Sequence, residues 1–131
     1  MKKIFFTLLI LLITANISLS QNNETQTVKK QFLYLLRLEK NMFDTAAWTP
    51  EKNKIVQEHF AHLQKMLSDG TLILAGRTQN ALDKTFGIVI YEADSFEEAK
   101  SIAENDPAVK GKIMTVEVFP YEVALMRTEK K

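Results

Sequence analysis

Two stretches of helical periodicity, each set between short strand-like runs, constrain this chain more than any other feature. The first opens at Thr49-Pro50-Glu51, which places a threonine as N-cap, a proline at the first helical position and an acid in the first turn. Ile55, Val56, Phe60, Leu63, Met66 and Leu67 follow at helical spacing. Gly70 then stands where a left-handed residue would end the helix. The second stretch opens at Ser95-Phe96-Glu97-Glu98, a capping box with a glutamate three residues after the serine. Phe96, Ala99, Ile102 and Ala103 share one side of it. Asn105-Asp106-Pro107 ends it, because the residue before a proline is pushed out of helical geometry.

Four apolar runs of strand length surround these helices, at residues 32–38, 71–76, 86–91 and 113–119. The third is nearly continuous in apolar residues, which suggests a central strand. Residues 39–48 and 77–85 lack periodicity and read as loops, and Pro120 closes the fourth strand ahead of a short apolar tail. The order is βαββαβ, which predicts an α+β sandwich of ferredoxin-like type. Its sheet is four-stranded and mainly antiparallel, with right-handed crossovers. Two helices cover only one face of such a sheet. Tyr34 alternates with Leu33 and Leu35, and Met114, Val116 and Val118 alternate with Ile113, Thr115 and Phe119, so both faces carry apolar side chains. An uncovered apolar face implies a partner, and a homodimer through that open face is the economical reading.

The N-terminus has a separate character. Met1-Lys2-Lys3, an apolar run over residues 4–13 and the small-residue tail 14–20 follow the order of a secretory signal peptide. Residues 1–20 are therefore expected to be removed, residues 21–30 to form a flexible polar leader, and residues 31–127 to form the domain. The expected location is periplasmic or secreted, with no stable membrane association after cleavage. An uncleaved anchor would need about 20 apolar residues, and this run falters at Asn16. Removing Lys2 and Lys3 from the 17 basic residues leaves 15 against 16 acidic ones, a net charge of −1. Without a basic excess, nucleic acid is not an expected partner. The chain has no cysteine, which excludes disulfides, thiolate catalysis, cysteine-based metal sites and lipoprotein acylation.

The chemistry must then come from few residues. The two histidines, His59 and His62, both lie on the first helix; His59 falls inside its apolar arc and His62 at the edge. An imidazole facing the sheet is either a hydrogen-bonded core residue or a group lining a pocket, and an acidic partner would favour the second. No acid lies near the histidine pair in a metal-ligand pattern, so no metal site is assigned. Asp106 is an ordinary turn and capping residue by position. Arg37 interrupts an apolar strand, which marks either the strand's exposed end or an anion-binding spot. Trp48 either covers a cavity or staples the first helix, and Arg77, just after the second strand, reads first as a solvated loop residue. No phosphate loop, nucleotide fingerprint or serine elbow is present, and no cofactor is expected.

Several stretches, taken in order, resemble the YciI-like (YCII-related) family. They are residues 32–38, Glu58-His59-Phe60-Ala61-His62-Leu63-Gln64, Leu67-Ser68-Asp69-Gly70, Leu72-Ile73-Leu74-Ala75-Gly76, residues 95–99, Asp106-Pro107-Ala108-Val109 and Glu117-Val118-Phe119-Pro120. The resemblance implies a dimeric α/β barrel in which two sheets pack face to face. It also implies kinship with enzymes acting on small hydroxylated or chlorinated aromatic rings through a His–Asp dyad, here His59 and Asp106. In most relatives a proline follows the Ala-Gly of the second strand; Arg77 stands in its place. The family is generally cytoplasmic, so the signal peptide is a second departure. The expected function is a cofactor-free lyase or isomerase acting on a small aromatic or lactone-like molecule. His59 would be its base, Asp106 would orient it, and Arg37, Trp48 and Arg77 would contact substrate. The alternative is a non-catalytic small-molecule-binding or assembly module in which His59 belongs to the core.

Overall fold

The computed structural model describes residues 29–127. The expected signal peptide, and all but the last two residues of the expected leader, lie outside the described residues. In chain order the elements are β1 (Lys30–Leu38), α1 (Pro50–Ser68), β2 (Leu72–Arg77), β3 (Phe86–Ala93), α2 (Phe96–Glu104), α3 (Pro107–Lys110) and β4 (Met114–Pro120). The strands form one antiparallel sheet in the order β2-β3-β1-β4. This is the ferredoxin-like arrangement that βαββαβ predicts: each helix carries the chain over one intervening strand. Among the described residues no helix is long and apolar enough to cross a membrane.

The helix ends form for the local reasons that the sequence displays. The Thr49 hydroxyl accepts from Lys52 N, with Pro50 in the first turn. At the other end Gly70 takes a φ of 75°. Gly70 N donates to Leu67 O and Thr71 N to Met66 O, the paired bonds of a Schellman stop. At α2 the Ser95 hydroxyl accepts from Glu98 N at 3.1 Å, while the Glu98 carboxylate reaches back to Asp94 N at 2.7 Å, one residue before the cap.

The register fixes which side chains face the helices. Phe32, Tyr34 and Leu36 of β1 stand beside Tyr91, Val89 and Gly87 of β3, and beside Pro120, Val118 and Val116 of β4. These side chains make the core with Leu63 and Met66 of α1 and Ala99 and Ala103 of α2. The Tyr34 and Tyr91 rings meet edge-on at 5.2 Å between centroids, and Phe32 lies 6.2 Å from both Tyr91 and Phe96. Such aromatic pairs add about 0.5–1.5 kcal/mol each beyond burial. The opposite face presents Leu33, Leu35 and Arg37 beside Ile90, Ile88 and Phe86. Leu74 and Phe119 on that face are 47% and 43% exposed.

Several details differ from the sequence reading. β1 begins at Lys30, two residues early, and Pro120 is the last paired residue of β4, opposite Phe32. Residues 39–48 contain two short 3-10 turns, and Met42 between β1 and α1 is fully buried; one anchor in a loop produces no periodicity to detect. Phe60 and Leu67 are about 60% exposed, because α1 packs along Leu63 and Met66 and the apolar stripe is wider than the contact. α3 is a four-residue helix restarted by Pro107, too short to show a pattern.

α3 and α1 meet closely at Gly111. A Cβ there would stand 2.9 Å from Ile55 Cγ2 and 3.0 Å from the Pro107 carbonyl oxygen. Gly111→Ala should therefore cost about 1–3 kcal/mol by overpacking. Urea denaturation should show a lower midpoint at unchanged slope, whereas a wild-type midpoint would mean that the α1–α3 joint yields freely.

Candidate active site

α1 carries His59 at its middle, β1 carries Tyr34 at its centre, and the turn into α3 carries Asp106. The backbone of Asp106 is extended (φ −55°, ψ 130°) as the N-cap of α3, and its Oδ1 accepts from Ala108 N at 2.8 Å. His59 Nδ1 lies 2.8 Å from both carboxylate oxygens, and the Tyr34 hydroxyl donates to Oδ2 at 3.2 Å. Asp106 is fully buried. Its capping role and its bond to His59 are simultaneous, so the two readings open in the sequence do not compete.

This arrangement decides the tautomer. A carboxylate only accepts, so a ring proton sits on Nδ1, and in the neutral ring the lone pair is on Nε2. The His59 side chain is 12% exposed, and the ring borders a cavity of about 760 Å³ between α1 and the sheet. Leu36, Leu63, Val89 and Met114 line its inner wall. Trp48 and Phe60 line it as well, as does the run Arg77, Thr78, Gln79 and Asn80. The Trp48 indole donates to the Met42 carbonyl at 3.1 Å, so the buried Met42 turn fixes that ring against the cavity. Gly87 also lies on this wall, and a Cβ there would meet nothing closer than 3.6 Å.

Of the residues singled out in the sequence, the structure brings His59 and Asp106 together and places Trp48 and Arg77 on the same cavity. Arg37 is not brought there. It alternates with Leu36 and therefore projects from the other face of the sheet, where its guanidinium lies 5.3 Å from the Phe86 ring centroid. A guanidinium on that face cannot steady an oxygen of a molecule held beside His59. Among the described residues the buried His62 Nε2 has no hydrogen-bond partner, and it takes no part in the Asp106 network. Among the described residues no group of three or more His, Cys, Asp or Glu side chains could hold a metal ion. Tyr34 is the residue that sequence reasoning missed. Its signal was a phenol amid core-facing strand positions, which needs a buried acceptor.

Burial, and then the neighbouring Asp106 carboxylate, push the Tyr34 phenol far above its ordinary range. Burial alone does the same to Tyr91, whose hydroxyl donates to the Ala99 carbonyl at 2.7 Å.

Comparison with known proteins places this geometry. The model of the YCII-related domain matches residues 32–122. Among solved structures, the chain is similar to 5-chloro-2-hydroxyhydroquinone dehydrochlorinase from Burkholderia phenoliruptrix, determined in complex with 2,5-dihydroxybenzoquinone. The TM-score is 0.53 and the identity 21%, over 70% of this chain and 93% of that one, a likeness of fold. No curated protein matches the sequence.

The buried phenol gives this site a pH signature. Tyr34 ionises more readily unfolded than folded, so the stability it contributes is complete below about pH 10 and declines as pH rises further. The advantage of wild type over Tyr34→Phe should shrink by up to ~1.4 kcal/mol per pH unit in that range. Urea unfolding of both proteins at pH 9, 10 and 11 measures it, and a gap that does not change with pH would contradict the buried neutral phenol.

Proposed function

The chain belongs to the YCII-related domain family, and from that premise we propose that it is a cofactor-free acid–base catalyst of lyase or isomerase type acting on a small molecule. The observation that carries this reading is the divided imidazole. Its Nδ1–H is committed to a buried carboxylate, and the ring borders a cavity of ligand size, with Nε2 as the nitrogen left for a substrate. His59 takes a proton from a substrate C–H or O–H onto Nε2. The imidazolium so formed keeps its Nδ1–H on Asp106, which remains a carboxylate and offsets the new charge. In an elimination, the electron pair of the broken C–H bond becomes the new double bond, and the leaving group departs with its own bonding pair. In an isomerisation, His59 returns the same proton to a different carbon. The solved dehydrochlorinase shares the fold, an analogy that is consistent with this class of chemistry and leaves the argument to the site itself.

A second reading is favoured by one specific fact. Asp106 also caps α3 and satisfies Tyr34, so the His–Asp contact is part of a framework that a pure binding module would need as well. The two readings part on proton transfer. The probe is 2,5-dihydroxybenzoquinone, with its ring C–H exchange into D₂O followed by NMR. Wild type should accelerate exchange and His59→Gln should lose about 10²–10⁴-fold of that acceleration. Binding of the probe with no exchange above background would replace the catalytic reading with the binding one.

The assembly proposed is a homodimer through the open sheet face, supported by Leu33, Leu35, Leu74, Ile88 and Phe119 on a surface no helix covers. Export is proposed on the order of residues 1–20 alone. Light scattering at micromolar concentration should give the mass of two chains, and Leu35→Asp should give the mass of one. A wild-type monomer would rule out this interface.

A further inference from the structure

We infer that the molecule held beside His59 is an organic anion, a small carboxylate with an apolar body, and that Arg77 binds its carboxylate. This specifies the substrate class of the same site and rests on the reading of that site as ligand-binding. The first support is a β-bulge. Leu72 pairs with Tyr91 but Leu74 pairs with Ile90, so one extra residue sits in β2 at Ile73. A bulge shifts the alternation of every later side chain. Without it Leu74 and Gly76 would face α1; with it Ala75 and Arg77 do. Arg77 consequently stands opposite Gly87, which neighbours Leu36 on the helix-covered face. Arg77 thus lines the cavity, and Gly87 opposite it adds no side chain there.

The second support is charge. Among the described residues lining the cavity, Arg77 is the one lysine or arginine, and none is Asp or Glu. Asp106 lies behind the imidazole and does not reach the cavity surface. Among the described residues no carboxylate stands within 4.0 Å of Arg77. An exposed arginine on an ordinary surface needs no partner. This one borders an apolar wall, where an ion pair is screened less than in open water.

The third support is polarity along the cavity. The consecutive residues Arg77, Thr78, Gln79 and Asn80 make one part of the lining polar and cationic, while Leu36, Leu63 and Val89 make another part apolar. A ligand that satisfies both parts has a flat apolar body and one anionic group. The planar fork of a guanidinium fits a carboxylate with two parallel hydrogen bonds.

The test uses two rings that differ by one group: 2,5-dihydroxybenzoate, anionic at neutral pH, and hydroquinone, which lacks the carboxylate. Calorimetric titration of the full mature chain should show the anion binding about tenfold or more tightly than the neutral ring. Arg77→Met should erase that preference while leaving hydroquinone affinity and the unfolding midpoint unchanged, and Arg77→Lys should restore part of it. His59→Gln should keep the preference. Equal affinity for the two rings in wild type, no binding of either at millimolar concentration, or a preference that survives Arg77→Met overturns the inference. A preference that Arg77 controls, together with ring-proton exchange that does not depend on His59, sinks the base and leaves the anion site standing.

Discussion

The buried carboxylate of Asp106 is the constraint on which the rest of the site depends. An ionised group with no solvent contact is strongly unfavourable unless donors surround it. Here the donors come from three elements: the Tyr34 hydroxyl of β1, the His59 ring of α1 and the Ala108 amide of α3. Withdrawing the carboxylate would strand all three, at about 1–3 kcal/mol for each unsatisfied buried group. The same three bonds hold a strand, a long helix and a short helix at fixed separation. The orientation of the His59 ring is therefore a by-product of how the fold solves a desolvation problem.

The sheet separates two kinds of surface. Its helix-covered face carries the aromatic core and opens into the cavity beside α1. Its other face carries aliphatic residues, Phe86, Phe119 and Arg37. That division explains why the two arginines, alike in sequence as cations beside apolar strands, have different surroundings. Arg37 lies over Phe86 on the uncovered side, and Arg77 borders the cavity. Alternation along β1 would have sorted Arg37 correctly had Leu36 been recognised as a core residue.

Local signals carried much of the fold. Thr49-Pro50, Ser95 with Glu98, and Gly70 act within a few residues of themselves, so their meaning survives without knowledge of the tertiary structure. The order and sidedness of the elements followed from them. The site was less legible, because His59 and Asp106 are 47 residues apart and Tyr34 is 72 from Asp106. No periodicity links residues at those separations. The dyad was reached by resemblance to a family, and the phenol that completes it was not reached at all. Residues such as Met42 and Pro107 were opaque for a different reason: one buried anchor or one helical turn is below the length at which a pattern exists.

The bulge in β2 has a further meaning for how such a chain can change. Whether a cation serves the cavity or the opposite surface is decided here by the parity of a residue count and not by the chemistry of any side chain. A single insertion or deletion in that strand, ahead of Arg77, would move Arg77 from the cavity to the opposite surface without altering one codon for a charged residue. Divergence in this part of the molecule is therefore better followed in gaps than in substitutions.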